Sequence, residues 1–174
     1  IEAGNPGSNP KDMEFFEEAK KLDLKHSKLV AFGSTRRKSI KCSEDANLKS
    51  LLSAGTEYVC IFGKTWDFQV TDIIHASLEE NLEMIEETVA YLVENKKKII
   101  FDAEHFFTGY KANPDYAMKC LEAAVKGGAE CLCLCETKGG AMPRECFDFT
   151  KAVVDTFGEK VSVGIHTHND AGLA

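Results

Sequence analysis

Short apolar runs recur along the chain, each followed by a polar loop and then by an amphipathic stretch of helical period. The unit repeats about every 30 residues, the length of a strand plus a helix. The runs are Ile1-Glu2-Ala3, Leu29-Val30-Ala31-Phe32, Tyr58 to Phe62, Ile99-Ile100-Phe101, Cys131 to Cys135 and Val161 to Ile165. They lead into Gly4-Asn5-Pro6-Gly7, Gly33-Ser34-Thr35-Arg36, Gly63-Lys64, Asp102-Ala103-Glu104-His105, Glu136-Thr137 and His166 respectively. Near-continuous apolar runs of this kind suit parallel strands covered on both faces.

Between the runs, the helices carry explicit start and stop signals. Asn9-Pro10 and Asn113-Pro114 each place an N-cap before a proline at the first helical position, and a further helix begins at Pro143. Ser77 and Glu80 predict a capping box ahead of Leu78, Leu82, Ile85, Val89 and Leu92, which recur at three- and four-residue steps. Gly127-Gly128 and Gly158 mark helix ends. Trp66 to Ile74 is less regular and reads as a loop with a short helical turn over the strand ends. No linker or low-complexity stretch divides the chain, so residues 1–174 read as a single domain.

Strict alternation of strand and helix leaves an open doubly wound sheet or a (β/α)8 TIM barrel. The nucleotide-binding form of the open sheet uses a Gly-x-Gly-x-x-Gly turn, and the sequence has none. Every run instead ends in residues of the Asn, Ser, Thr, Arg, Glu or His type. Chemistry drawn from the ends of several strands is the barrel arrangement. A whole barrel takes eight strands and about 250 residues. The expectation is a partial TIM barrel, an α/β fold with about six strands present and the first and last outside this span. The chain opens on Ile1 and is expected to be a fragment of a longer enzyme.

Composition changes this picture little. A 44% hydrophobic, 28% charged chain is an ordinary globular one. Its net charge of -7 argues against nucleic acid or an anionic membrane as partner. The lysine run Lys96-Lys97-Lys98 reads as a solvated helix end. No stretch approaches the length of a membrane span. The seven cysteines lack the Cys-x-x-Cys knuckle of a zinc ribbon, and Cys131, Cys133 and Cys135 alternate with leucines. They read as small apolar packing residues of a reducing, cytoplasmic compartment.

The candidate chemistry sits at the strand ends. Side chains two apart on a strand share a face, so His166 and His168 present their imidazoles together, with Asn169 and Asp170 just beyond. Spacing alone leaves a solvated pair or half of a divalent-metal site. Asp102 and Glu104 place two carboxylates two residues apart. Glu104 either faces the barrel mouth, where it would orient substrate or move a proton, or is an exposed loop residue. His105, by alternation, points the other way and reads as structural. Thr137 either donates to a substrate carboxylate or caps the turn before Gly139-Gly140. Arg36 and Arg37 either bind a phosphate or carboxylate or serve as surface ion-pair partners.

Several segments together resemble the citramalate synthase family, within the wider group of 2-isopropylmalate synthase, homocitrate synthase and 3-hydroxy-3-methylglutaryl-CoA lyase. They are Ile1 to Asp12, Ala31-Phe32-Gly33-Ser34-Thr35-Arg36-Arg37, Phe101 to Phe107, Gly109 to Pro114, Leu134 to Gly140 and His166-Thr167-His168-Asn169-Asp170. They fall in order over nearly the whole chain. The resemblance implies a metal-dependent TIM barrel in which His166 and His168 bind a divalent cation (zinc, magnesium or manganese). It implies that Glu104 and Thr137 lie against a keto acid, Glu104 with a catalytic role. The family's Arg-Asp pair on a first strand, and an asparagine ligand beyond His168, are not in this span. The run Cys135-Glu136-Thr137-Lys138 departs from the family's common Asp-Thr-Asn, which bears on substrate detail.

The implied reaction is condensation of acetyl-CoA with pyruvate to (R)-citramalate and CoA, an acyl transfer in isoleucine biosynthesis. The resemblance also admits 2-isopropylmalate or homocitrate synthase, or a lyase working in the cleavage direction. A barrel remnant that only binds metal is the non-enzymatic alternative. A homodimer is expected of the full-length enzyme, and little or no activity of the isolated span.

Overall fold

The computed structural model describes residues 1–173. Five strands form one parallel sheet: β1 (Val30–Ser34), β2 (Tyr58–Lys64), β3 (Lys98–Glu104), β4 (Cys131–Glu136) and β5 (Ser162–Thr167). Their order in the sheet is their order in the chain, each pairing with the next. A doubly wound sheet reverses its strand order at a switch point; an arc of a barrel does not. The topology is that of a barrel arc.

The expected count of six strands drops to five. Ile1–Ala3 makes only one bridge, Glu2 to Val30, although Ala3 N donates to the Val30 carbonyl at 3.0 Å and Phe32 N to that of Gly4 at 2.9 Å. Gly4 then turns the chain at φ 117°, and Pro6 follows, so the run is too short to lengthen its ladder.

Six helices connect the strands: α1 (Pro10–Ala19), α2 (Ala46–Ser53), α3 (Leu78–Glu94), α4 (Phe106–Ala112), α5 (Pro114–Gly127) and α6 (Pro143–Phe157). Asn9 and Asn113 accept from the backbone N–H of Asp12 and Tyr116, so both predicted caps form. The Ser77 cap forms only half of its box. Ser77 Oγ accepts from Glu80 N, but the Glu80 carboxylate instead takes the Ser39 N–H at 2.9 Å. Gly128 closes α5 in the left-handed region at φ 102°, whereas Gly158 ends α6 without leaving right-handed geometry. Trp66 to Ile74 contains a single π-helical turn at Gln69–Ile73, as the irregular pattern suggests.

The apolar core lies between the sheet and its helices. Ala31, Val59, Ile61, Ile99, Phe101, Ala103, Leu132 and Leu134 face outward against Ile85, Val89 and Leu92 of α3 and Leu121 and Ala124 of α5, all fully buried. Each of the larger side chains contributes about 1.5–3 kcal/mol by leaving water. Leu78 and Leu82, in the first turns of α3, are only half-buried. The alternate strand positions project to the other, concave face. Gly109 lets α4 approach the end of β2 closely, because a Cβ there would collide with the Thr65 carbonyl oxygen. The lysine run is less solvated than its composition suggests. Lys97 Nζ donates to the Thr56 carbonyl at 2.7 Å, and Lys98 pairs with Glu57 at 3.1 Å.

Candidate active site

The concave face gathers side chains from every strand end. A cavity of about 290 Å³ is lined by Phe32, Phe62, Asp102, Glu104, Cys135, Thr137, His166 and His168. Glu104, Thr137, His166 and His168 therefore share one enclosure, though they are spread over 65 residues of sequence. Register explains the meeting. Lys64 is opposite Glu104, and Cys135 is opposite His166, so residues of matching parity on neighbouring strands form one inward row.

His166 lies on β5 and His168 just past its end, both exposed on the open side. Their ring centroids are 5.1 Å apart with planes inclined at 50°. The His168 N–H donates to the Glu136 carbonyl at 3.3 Å, which carries the strand direction one residue beyond β5. Asn169 and Asp170 turn away from the strand, and Gly172 N closes that turn on the Asn169 carbonyl at 3.0 Å.

Glu104 is the last residue of β3 and is ion-paired with Lys64, the last residue of β2; both side chains are partly buried. Its backbone carbonyl accepts from Thr65 Oγ1 at 2.7 Å, and Thr65 is fully buried. Glu104 is thus held at both backbone and carboxylate. Thr137 Oγ1 accepts the His105 N–H at 2.9 Å, which leaves its own proton free for another acceptor. Stacked Phe32 and Phe62, 5.4 Å apart, form an apolar wall.

His105 keeps out of this cavity. Its left-handed backbone, φ 58°, ends β3 and starts α4, and its ring lies 5.8 Å from that of Trp66. Burial lowers its pKa and favours the neutral ring, and Nδ1 is buried without a protein partner. Arg36 is also committed elsewhere. It is 7% exposed, with Nε donating to Glu87 at 2.7 Å and Nη1 to the Arg37 carbonyl at 3.2 Å. Of the two roles open to it, the structure shows the ion-pair one.

One inward residue escaped the sequence pattern, and a second was named there only as one of two paired carboxylates. Lys64 follows Gly63, a residue that usually marks the end of a strand, yet β2 runs through both. Asp102 points inward as well, with Cys133 beside it in register. The cysteines expected among packing residues prove to be divided. Cys120 is buried in the helix layer, whereas Cys60, Cys131, Cys133 and Cys135 share the concave parity. All seven thiols are free.

The donor chemistry of the His pair suits a divalent cation, since imidazole is a common ligand for zinc, manganese and other transition ions. Neither histidine belongs to a group of three ligand-type side chains lying within 4.8 Å of one another among the described residues. They fit as two ligands of a larger set.

A parallel arc with acid, hydroxyl and imidazole side chains on its C-terminal rim is the arrangement of a TIM-barrel domain. The chain belongs to the HMGL-like family, whose model matches residues 1–174. It is 55% identical over 174 residues to an (R)-citramalate synthase of Aquifex aeolicus, covering 100% of this chain and 33% of that protein. The chain thus spans about a third of the length of the curated relatives it matches. Among solved structures, the HMG-CoA lyase of Bacillus subtilis superposes with a TM-score of 0.73 at 17% identity, over 95% of this chain and 55% of that one. An Acinetobacter baumannii HMG-CoA lyase, solved with coenzyme A and 3-methylmalate, gives a TM-score of 0.68 at 15% identity. It covers 98% of this chain and 54% of its own. These two likenesses establish the shared fold. No helix among the described residues is long and apolar enough to cross a membrane.

Proposed function

We propose that the complete protein containing this chain is an acyltransferase that condenses acetyl-CoA with pyruvate to give (R)-citramalate and CoA. The observation that carries the reading is the 55% identity to a citramalate synthase along the whole span.

In the reaction a methyl proton leaves acetyl-CoA, and the resulting carbanion equivalent forms a C–C bond to the ketone carbon of pyruvate. The ketone oxygen gains a proton and becomes a hydroxyl. Water then cleaves the thioester, releasing CoA and a carboxylate. His166 and His168 would hold a divalent cation of the zinc, magnesium or manganese class, which supplies Lewis acidity toward a keto acid. Thr137 would donate its free hydroxyl proton to the pyruvate carboxylate. Glu104, oriented by Lys64 and Thr65, would orient the substrate or move the proton at its own carboxylate. Phe32 and Phe62 exclude water from one side of the cavity.

The seven unpaired thiols support a reducing, cytoplasmic setting. A homodimer of the complete enzyme, with isoleucine biosynthesis as its setting, completes the reading. The direct test follows free CoA with a thiol reagent in the complete protein supplied with acetyl-CoA, a divalent metal and a panel of 2-keto acids. Pyruvate is expected to give the fastest release. No pyruvate-dependent release, or faster release with a branched or dicarboxylic keto acid, would reject the assignment.

A further inference from the structure

Below the His pair, the concave face carries a second set of ligand-type side chains that the reaction above does not use. Asp102 of β3 and Cys133 and Cys135 of β4 place a carboxylate oxygen and two sulfurs within 4.8 Å of one another. Asp102 also belongs to an overlapping group with Cys60 of β2 and Glu2. Three adjacent strands thus converge on one carboxylate.

That carboxylate sits in an unusual setting. Asp102 is 8% exposed, and no basic side chain among the described residues is ion-paired with it. Its close neighbours are thiols, Cys60, Cys133 and Cys135 each bringing sulfur within 4.8 Å of it. A buried carboxylate ordinarily has a cationic partner, because charge is costly to bury unpaired. Here the groups that surround it are themselves soft metal ligands.

We propose that Asp102, Cys133 and Cys135 form a site for a thiophilic divalent ion of the zinc type that does not use His166 or His168, although Asp102 and Cys135 line the same cavity as those histidines. The geometry is close to ready. Tetrahedral zinc with Zn–S bonds of about 2.3 Å places its ligand atoms about 3.7 Å apart, so the side chains need draw in by only about 1 Å. Strand spacing allows this, since Cys133 and Cys135 are two apart on one face and Asp102 is directly opposite Cys133. On binding, each coordinating thiol loses its proton to solvent as its sulfur bonds to the ion; no electron is transferred. The ion gives Asp102 a cationic partner and ties β3 to β4. Hard ions such as magnesium are excluded by the sulfur ligands.

Cobalt(II) titrated into the reduced complete protein tests the site, because thiolate ligation gives a sulfur-to-cobalt charge-transfer band that imidazole ligation does not. The proposal expects about one cobalt per chain with this band. The band should fall by at least half in Cys133→Ser and be kept in His166→Ala. Cobalt bound without the band, or a band untouched by Cys133→Ser, would overturn it. Should that variant fold poorly, alkylation of the unmutated protein with and without zinc decides the matter by mass spectrometry. Zinc is expected to slow modification of Cys133 and Cys135 at least tenfold relative to Cys146. Equal rates would overturn the site.

Discussion

The two faces of the sheet are built from the same strands by alternate residues, yet they do different work. On β4, Leu132 and Leu134 are fully buried against the helices, while Cys131, Cys133 and Cys135 share the parity of the cavity. On β3, Ile99, Phe101 and Ala103 pack outward, and Asp102 and Glu104 point in. The outward face is apolar and continuous, so it supplies most of the folding free energy. The inward face carries carboxylates, thiols, a lysine and two imidazoles, and can change its chemistry without disturbing the core. A strand period of two residues is enough to separate the two tasks.

Perturbing each face in turn should separate the two. Phe101→Ala empties a fully buried outward position and is expected to destabilise the protein by about 3–5 kcal/mol, read from the urea unfolding midpoint. On the inward face, Glu104→Gln should lower turnover by about 10²-fold or more, the range for a positioned acid or base. Its unfolding midpoint should move by less than the equivalent of about 1 kcal/mol. A midpoint shift as large as that of Phe101→Ala would mean that the faces are not independent.

A third perturbation uses pH on the helix side. Burial pushes the Cys120 thiol up to about 12, above the ordinary value of about 8.5. Between those values the unfolded chain has lost this proton and the folded chain keeps it, so stability is full below about pH 8.5 and falls as pH rises. The slope from this one thiol is about 1.4 kcal/mol per pH unit. Cys120→Ala should make the loss of stability between pH 9 and 11, on the order of that slope, visibly shallower in urea titrations. A smaller effect is expected of Thr137→Val. It removes the acceptor of the half-buried His105 N–H and should cost about 1 kcal/mol in the same unfolding assay. Turnover should fall beyond what that loss explains.

Much of this division was legible before any coordinates. Alternation alone puts His166 beside His168, and Asn-Pro pairs mark where α1 and α5 begin. Placing those histidines near Glu104 takes the parallel register, which hydropathy does not encode. Lys64 was hidden by Gly63, which reads as a strand end. The glycine is there for a packing reason: a Cβ would come within 2.7 Å of the Phe101 ring, so the strand continues past it. Cys60, Cys120 and Cys135 are buried, as packing residues should be, but the face each occupies was not legible, because a thiol has the hydropathy of a core residue on either side. The Ser77 box failed for a tertiary reason, since the Glu80 carboxylate meets Ser39, 41 residues away, rather than its own cap. The short first run shows the limit of pattern reading at a chain end, where a bridge of one residue replaces a strand.

In this division the inward face works and the outward face folds, and both histidines of the working face are exposed. His166→Ala in the complete protein tests it most directly, measured as pyruvate-dependent CoA release alongside the urea midpoint. The account predicts that release is abolished while the midpoint stays within the equivalent of about 0.5 kcal/mol. Release that persists near the unsubstituted rate, or a midpoint that falls as far as that of Phe101→Ala, would contradict it.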